Sequence, residues 1–417
     1  MSIFNRKKIT DFLIYGFGQF INLASPLLVM PFIIIMCGEE GLGKIGVGFS
    51  FALILSGIID YGSYINGVKE ISINRNNKSI LEKKLKAIYL SKLILIITVF
   101  IVVAVLIFFI PFLAKDKNLF FFSLTIVIGQ FINPQWFFQG VENYKWISAV
   151  NVISKVLYVA LVFLFVKNES DYVYVNLFFG CSAILGNGIG LIWLINSYSF
   201  NFSNFSMADA IAIIREEFTF SISQFFLSIY QFSPIILISY IGGDFMAGQF
   251  RIIDQIITIF KTYLNMFFYF VYANVCYELN SNFKKGMKVW KQYNGYNFIV
   301  LFILLSMFFI FSDAILLYFK IDNQSIATMS VFFRVGLIVP LLVAISQPLR
   351  QLMFAFNENR IYINITIIFT ILNIVALYFL TKSYGLFGAF SSIIIIELAT
   401  IVSYLHVLKN RLKKTNI

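Results

Sequence analysis

Charged side chains are scarce in this 417-residue sequence, where Asp, Glu, Lys and Arg together make up 12%. Ordinary soluble domains carry about a quarter. So few charges cannot cover a water-facing surface on a chain that is 59% hydrophobic with mean hydropathy +0.85. A soluble globular protein is excluded, and lipid is the solvent for most of the chain. Histidine occurs once, at His406, and cysteine three times, at Cys37, Cys181 and Cys276, with no C-x-x-C pair. That spacing argues against a zinc site, a redox pair or Cys-His catalysis, so neither metal nor cofactor is expected. The sequence has no D-x-D of the kind metal-dependent sugar transferases use, and no converging acid–base set, so no catalytic residues are expected either. Acidic residues number 20 against 32 basic ones, for a net charge of +12. In a soluble chain that excess would suggest nucleic acid. Here the basic residues concentrate in short segments between apolar runs, as the positive-inside rule describes, and no nucleic-acid partner is expected.

What the sequence has in abundance is long apolar runs. They lie at 10–36, 44–66, 88–113, 119–139, 146–167, 172–196, 218–241, 247–275, 293–319, 326–354, 361–381 and 385–408. Each is long enough for a bilayer-crossing helix. The pattern predicts an all-α polytopic membrane protein with twelve transmembrane helices. The first run is too long for a signal-peptide core and no A-x-A-like site follows, so it reads as a retained span. With the N-terminus placed inside, basic residues on that side outnumber those outside about threefold. They include Arg6, Lys7 and Lys8, the six from Lys69 to Lys86, the four from Lys284 to Lys291 and the four from Lys409 to Lys414. Both termini are therefore expected in the cytoplasm.

The two halves echo each other. Asn133-Pro134-Gln135-Trp136 leads to Glu142-Asn143, and Gln347-Pro348-Leu349-Arg350 leads to Asn357-Glu358, a shift of 214 at the prolines. Ser25-Pro26 matches Ser233-Pro234 at a shift of 208, and the segment from Gly38 matches that from Gly243 at 205. Six spans separate the copies, so the expected fold is two six-helix lobes, residues 1–200 and 201–417, related by a pseudo-two-fold axis along the membrane normal. Such repeats place a substrate site between them.

The segment Gly38–Lys44 also matches the first seven positions of a phosphate-binding loop, and Gly41–Gly46 fits G-x-G-x-x-G. Ile45 stands where Ser or Thr should hold magnesium and no strand precedes, so nucleotide binding is rejected and the glycines are assigned to a tight turn.

The most informative polar pattern lies in the eighth span. At helical spacing Arg251, Asp254, Thr258, Lys261, Asn265, Tyr269 and Tyr272 share one stripe. A cation at mid-span costs a few kcal/mol unless it meets water or a partner. The stripe therefore either lines a wet cavity or ties helices together through a pair such as Arg251–Asp254. Weaker stripes carry Tyr15, Gln19 and Asn22 in the first span and Lys155 in the fifth, where cavity lining and interhelical bonding are equally open. Asp60, Asp254 and Glu397 lie in or near spans and are candidates for ion coupling.

Four segments resemble bacterial lipid-linked oligosaccharide flippases of the O-antigen (Wzx) type, within the multidrug/oligosaccharidyl-lipid/polysaccharide exporter superfamily. They are Asp60-Tyr61-Gly62 with Val68–Ser72, Pro134–Glu142 with its P-x-W-x-F-Q-G-x-E pattern, Gly248–Ile252, and Gln351–Ala355. The resemblance implies an inner-membrane transporter without cofactor, alternating access by rocking lobes, and an undecaprenyl-diphosphate-linked oligosaccharide as substrate. Its other partners would be membrane lipid and polysaccharide-assembly proteins. On this reading Arg and Lys side chains of the cavity would meet the diphosphate, with Arg251, Lys261 and Lys155 the candidates; Asn265, Tyr269, Tyr272 and Gln19 would offer surfaces to sugars, and Thr258, Asn22 and Tyr15 are further cavity residues. A drug or small-solute exporter of the same superfamily is the alternative.

Overall fold

The computed structural model describes the backbone of residues 6–201, 203 and 205–414, and side chains from Ile14 to Leu412 apart from 65, 202, 204, 219, 220, 223, 273 and 323. Among the described residues every regular element is helical. In chain order these are α1 (Arg6–Asp60), a π-helical turn (Ser63–Gly67), α2 (Val68–Ile73), α3 (Lys78–Phe109), α4 (Pro111–Lys115), α5 (Lys117–Ile132), α6 (Gln135–Gly140) and α7 (Tyr144–Phe165). After a 3-10 turn (Glu169–Asp171) come α8 (Tyr172–Tyr198), α9 (Met207–Glu216), α10 (Phe218–Ser281), α11 (Phe283–Ile310), α12 (Ser312–Tyr318), α13 (Asn323–Gly336), α14 (Ile338–Ala355) and α15 (Asn359–Lys414).

Nine stretches among the described residues are long and apolar enough to cross a membrane. Three of them, in α1, α10 and α15, run to 47, 58 and 54 residues, more than twice what one crossing needs. Each is broken at a single glycine: Gly38 (φ 73°, ψ 175°), Gly243 (φ 84°, ψ 169°) and Gly385 (φ 57°, ψ −138°). The first two sit in a corner of backbone space that only glycine readily reaches. No atom lies within 4 Å of where a Cβ would stand at either, so the requirement is torsional. Gly38→Ala and Gly243→Ala are each expected to cost about 1–3 kcal/mol and to lower the thermal midpoint of the purified protein. Gly188→Ala and Gly295→Ala, helical positions with equally open space, should leave it unchanged or raise it. From Glu39 onward the apparent phosphate-loop motif is ordinary helix, with Lys44 Nζ 2.9 Å from Glu40 Oε1.

α3 and α11 begin about ten residues before the apolar runs that mark them in the sequence. Their lysine-rich starts continue the helices by about 15 Å, an extension that hydropathy alone does not register.

The chain separates into two compact units, residues 1–236 and 237–417, dividing within α10. In the first, α1, α5, α7 and α8 pack together. Lipid offers no hydrophobic drive for this, so small residues and buried amides do the joining. A Cβ on Gly48 of α1 would collide with Asn176 of α8 and Ser123 of α5. The Asn176 amide donates to the Ile45 carbonyl (3.0 Å) and to Ser123 Oγ (2.9 Å), and the Asn187 amide to the Gly129 carbonyl (2.8 Å). Trp136, Phe137 and Phe138 of α6 are fully buried in an aromatic core with Tyr89 and Phe200. In the second unit α14 packs on α15 and α11 around Leu349, Met353 and Tyr404, and Phe250 stacks on Phe390 at 5.2 Å.

The repeat read from sequence has matching local geometry. Beyond the paired breaks at Gly38 and Gly243, Glu142 (φ 57°) and Asn357 (φ 60°) both adopt left-handed backbone. The Asn143 N–H then donates to the Phe138 carbonyl (2.8 Å), and the Glu358 N–H to the Met353 carbonyl (2.9 Å). This is the same Schellman-type closure in both units.

Candidate functional site

Each unit holds a cluster of polar side chains where α1 or α10 meets a later helix. In the first unit Asp60 ends α1, and Lys92 of α3 reaches it with Nζ 3.3 Å from Oδ1. Gln130 of α5 donates to Asp60 Oδ2 at 2.8 Å, and Asn133 donates to the Tyr64 hydroxyl at 2.7 Å. Lys92 is 1% exposed and lies 6.0 Å from the Trp136 ring centre. The pair borders a cavity of about 290 Å³, also lined by Asn66, Lys69, Glu70, Lys84, Glu216 and Glu217.

In the second unit the cluster centres on Asn265 of α10. Its Oδ1 accepts from Gln347 Nε2 (2.7 Å) and from Arg350 Nη2 (3.4 Å), both on α14. Arg350 Nη2 also donates to Gln347 Oε1 at 3.0 Å, and the guanidinium lies 4.6 Å from the Phe268 ring centre. Behind it the Gln351 amide donates to the Phe268 carbonyl (3.2 Å) and the Asn294 amide to Gln351 Oε1 (3.1 Å). Lys261 stands one turn before Asn265 and half-buried; among the described residues no carboxylate lies within 4 Å of its ammonium. Tyr269, one turn after, is 70% exposed.

The remaining residues singled out in the sequence scatter. Arg251 Nη1 is 3.5 Å from Asp254 Oδ2 on its own helix, the pairing that a purely structural role required. Tyr272 stacks on Phe268 at 5.5 Å, and Thr258 lends its carbonyl to the Thr262 hydroxyl at 2.8 Å. Glu397 is 7% exposed and accepts from Ser346 Oγ. In the first unit Lys155 is half-buried, its ammonium 3.8 Å from the Phe179 ring centre, with no carboxylate within 4 Å among the described residues. A desolvated cation over an aromatic face gains about 2 kcal/mol. Tyr15 meets Tyr144 edge-on at 5.7 Å, and Gln19 and Asn22 are half-buried on α1. The structure thus joins Lys261, Asn265 and Tyr269 on one face and adds Gln347 and Arg350, which sequence reasoning noted only as part of the repeat.

A family profile described as "Polysaccharide biosynthesis protein" matches residues 9–272. The chain belongs to this family. The matched range contains three of the four segments that carried the resemblance, among them Pro134–Glu142. A relative in Escherichia coli (strain K12), named "Putative O-antigen transporter", is 23% identical over 266 residues, 64% of this chain and 64% of its own. Its namesake in Shigella dysenteriae is 24% identical over 250 residues, 59% of this chain and 60% of that one. The matched stretch therefore spans just under two thirds of these relatives. Among solved structures, a multidrug resistance MATE family transporter in an inward-facing conformation covers 96% of both chains at 16% identity and a TM-score of 0.72. The lipid II flippase MurJ in an inward closed conformation covers 95% of this chain and 87% of its own at 12% identity and a TM-score of 0.76. The fold of this polysaccharide biosynthesis protein is that of a multi-pass transporter of the MOP superfamily.

Proposed function

We propose that this protein is a flippase that moves an undecaprenyl-diphosphate-linked oligosaccharide repeat unit from the cytoplasmic to the periplasmic leaflet of the bacterial inner membrane. Counting each glycine-broken helix as two crossings raises the nine apolar stretches to twelve spans. An even number leaves both termini on one side, and the basic segments put that side in the cytoplasm. Two six-helix lobes, residues 1–200 and 201–417, rock about a central cavity to expose it alternately to each leaflet. The observation that carries this reading is Lys261, a cation within an apolar helix that meets no carboxylate among the described residues and shares an open face with Asn265 and Tyr269. A diphosphate needs such cations in a low-dielectric site, and exposed hydroxyls, amides and aromatic faces suit sugars. Lys155 supplies further positive charge, whereas Arg251 is engaged by Asp254; Gln19, Asn22, Tyr15, Thr258 and Tyr272 are the further candidates for the cavity wall. Coupling to an ion gradient falls to Asp60, Asp254 or Glu397, and polysaccharide-assembly proteins are the expected neighbours.

Reconstitution into liposomes tests this. Transfer of a fluorescent undecaprenyl-diphosphate oligosaccharide between leaflets is expected, without efflux of ethidium. Efflux of ethidium without lipid transfer would make the protein a drug exporter of the same fold.

A further inference from the structure

The two polar clusters occupy equivalent places in the repeat, and their charges differ. Asp60 and Asn265 both stand 22 residues beyond the glycine that breaks their helix, Gly38 or Gly243. Each accepts a hydrogen bond from a glutamine of a later helix, Gln130 at 2.8 Å in one unit and Gln347 at 2.7 Å in the other. The shift of 205 that relates the glycines also relates Lys92 to Asn297, which is 6% exposed and accepts from the Tyr263 hydroxyl at 2.7 Å. The ion pair of the first unit is therefore two carboxamides in the second. Into this neutral cluster α14 introduces a cation of its own, Arg350.

Arg350 is held in place, yet no carboxylate among the described residues lies close enough to pair with it. Its Nη2 donors are spent on Gln347 and Asn265, and its plane rests against Phe268. Its Nε is buried without an acceptor, and among the described residues no carboxylate lies within 4 Å of the guanidinium. Asn265, which would be an aspartate if the second unit copied the first, accepts from the guanidinium without bringing a negative charge to it. A guanidinium fixed by neighbouring acceptors and a ring loses little freedom on binding an oxyanion, and an anion is what the cluster lacks. Lys261 stands one helical turn, about 6 Å, from Asn265 on the same open face of α10.

We infer that Arg350 and Lys261 form a binding site for the phosphate groups of a polyprenyl-linked diphosphate, with the ligand supplying the negative charge that Asn265 withholds. This assignment rests on the flippase reading above. The decisive variant is Asn265→Asp, which preserves shape and hydrogen-bond acceptors but gives Arg350 an internal carboxylate. The full chain, purified in detergent, is titrated with inorganic pyrophosphate and with farnesyl diphosphate, using sulfate as a control anion. Wild type should bind both diphosphates in preference to sulfate. Asn265→Asp and Arg350→Gln should weaken both by tenfold or more, with size-exclusion profiles and folded yields like wild type for the aspartate variant. Equal binding by Asn265→Asp and wild type would overturn the site even if lipid-linked oligosaccharide is transferred normally. Binding of farnesyl diphosphate but not pyrophosphate would also overturn it, since the isoprenoid alone would then be recognised. Loss of binding in the variants, with no oligosaccharide-lipid transfer by wild type, would keep the site and remove the flippase reading.

Discussion

Asp60→Asn is expected to be the most damaging single substitution in the first unit, and Lys92→Met the milder of the pair. Removing one partner of a buried ion pair costs about 3–5 kcal/mol because the other charge is stranded. Here the two partners are not equally placed. Lys92 is 1% exposed, whereas the Asp60 side chain is 24% exposed and edges the 290 Å³ cavity. A stranded ammonium, almost wholly covered although it borders the same cavity, is poorly hydrated. A stranded carboxylate keeps its hydrogen bond from Gln130 and can be hydrated from the cavity, which brings the loss toward about 1–3 kcal/mol. The double substitution Asp60→Asn with Lys92→Met should recover most of the stability, since replacing both charges is often neutral. The second unit carries uncharged amides, Asn265 and Asn297, at the two corresponding positions. Thermal midpoints of the three purified variants give the test. A double variant as unstable as the worse single one, or Lys92→Met falling below Asp60→Asn, would show that the pair is not the isolated electrostatic unit described.

Lys261→Gln is expected to reduce oligosaccharide-lipid transfer by tenfold to a hundredfold while membrane insertion stays intact. The range follows from one charge-assisted hydrogen bond, worth about 1.5–3 kcal/mol. Lys261→Arg should retain most activity because it keeps the charge and adds donors. Transfer rates in liposomes at matched protein density separate the cases. Equal rates for the arginine and glutamine variants would mean that the side chain only fills space between Thr258 and Asn265.

Hydropathy made the membrane architecture legible, because a bilayer asks only for length and apolarity. Gly38 and Gly243 also stood out, although the sequence pointed to a turn spread over several glycines and the chain spends one residue at each break. Glu142 and Asn357 could be paired by spacing alone, and their backbone matches. The clusters were harder to see. Lys92 and Asp60 are 32 positions apart, and which face of α3 meets α1 is a matter of packing that no single-helix periodicity encodes. Arg350 stood out only as part of the repeat, and its contact with Phe268 depends on how α14 docks on α10. The eighth-span stripe placed Arg251, Lys261 and Tyr272 on equal terms. Packing in three dimensions separates a guanidinium spent on Asp254 and a ring stacked on Phe268 from an ammonium with no carboxylate within 4 Å among the described residues.

The one-residue breaks at Gly38, Gly243 and Gly385 leave almost no slack chain where the three long helices kink. A protease needs several residues of pliable strand to seat in its cleft; these breaks offer none. Affinity tags and reporter insertions belong instead between α8 and α9, beside the exposed, non-helical residues Ser203, Phe205 and Ser206.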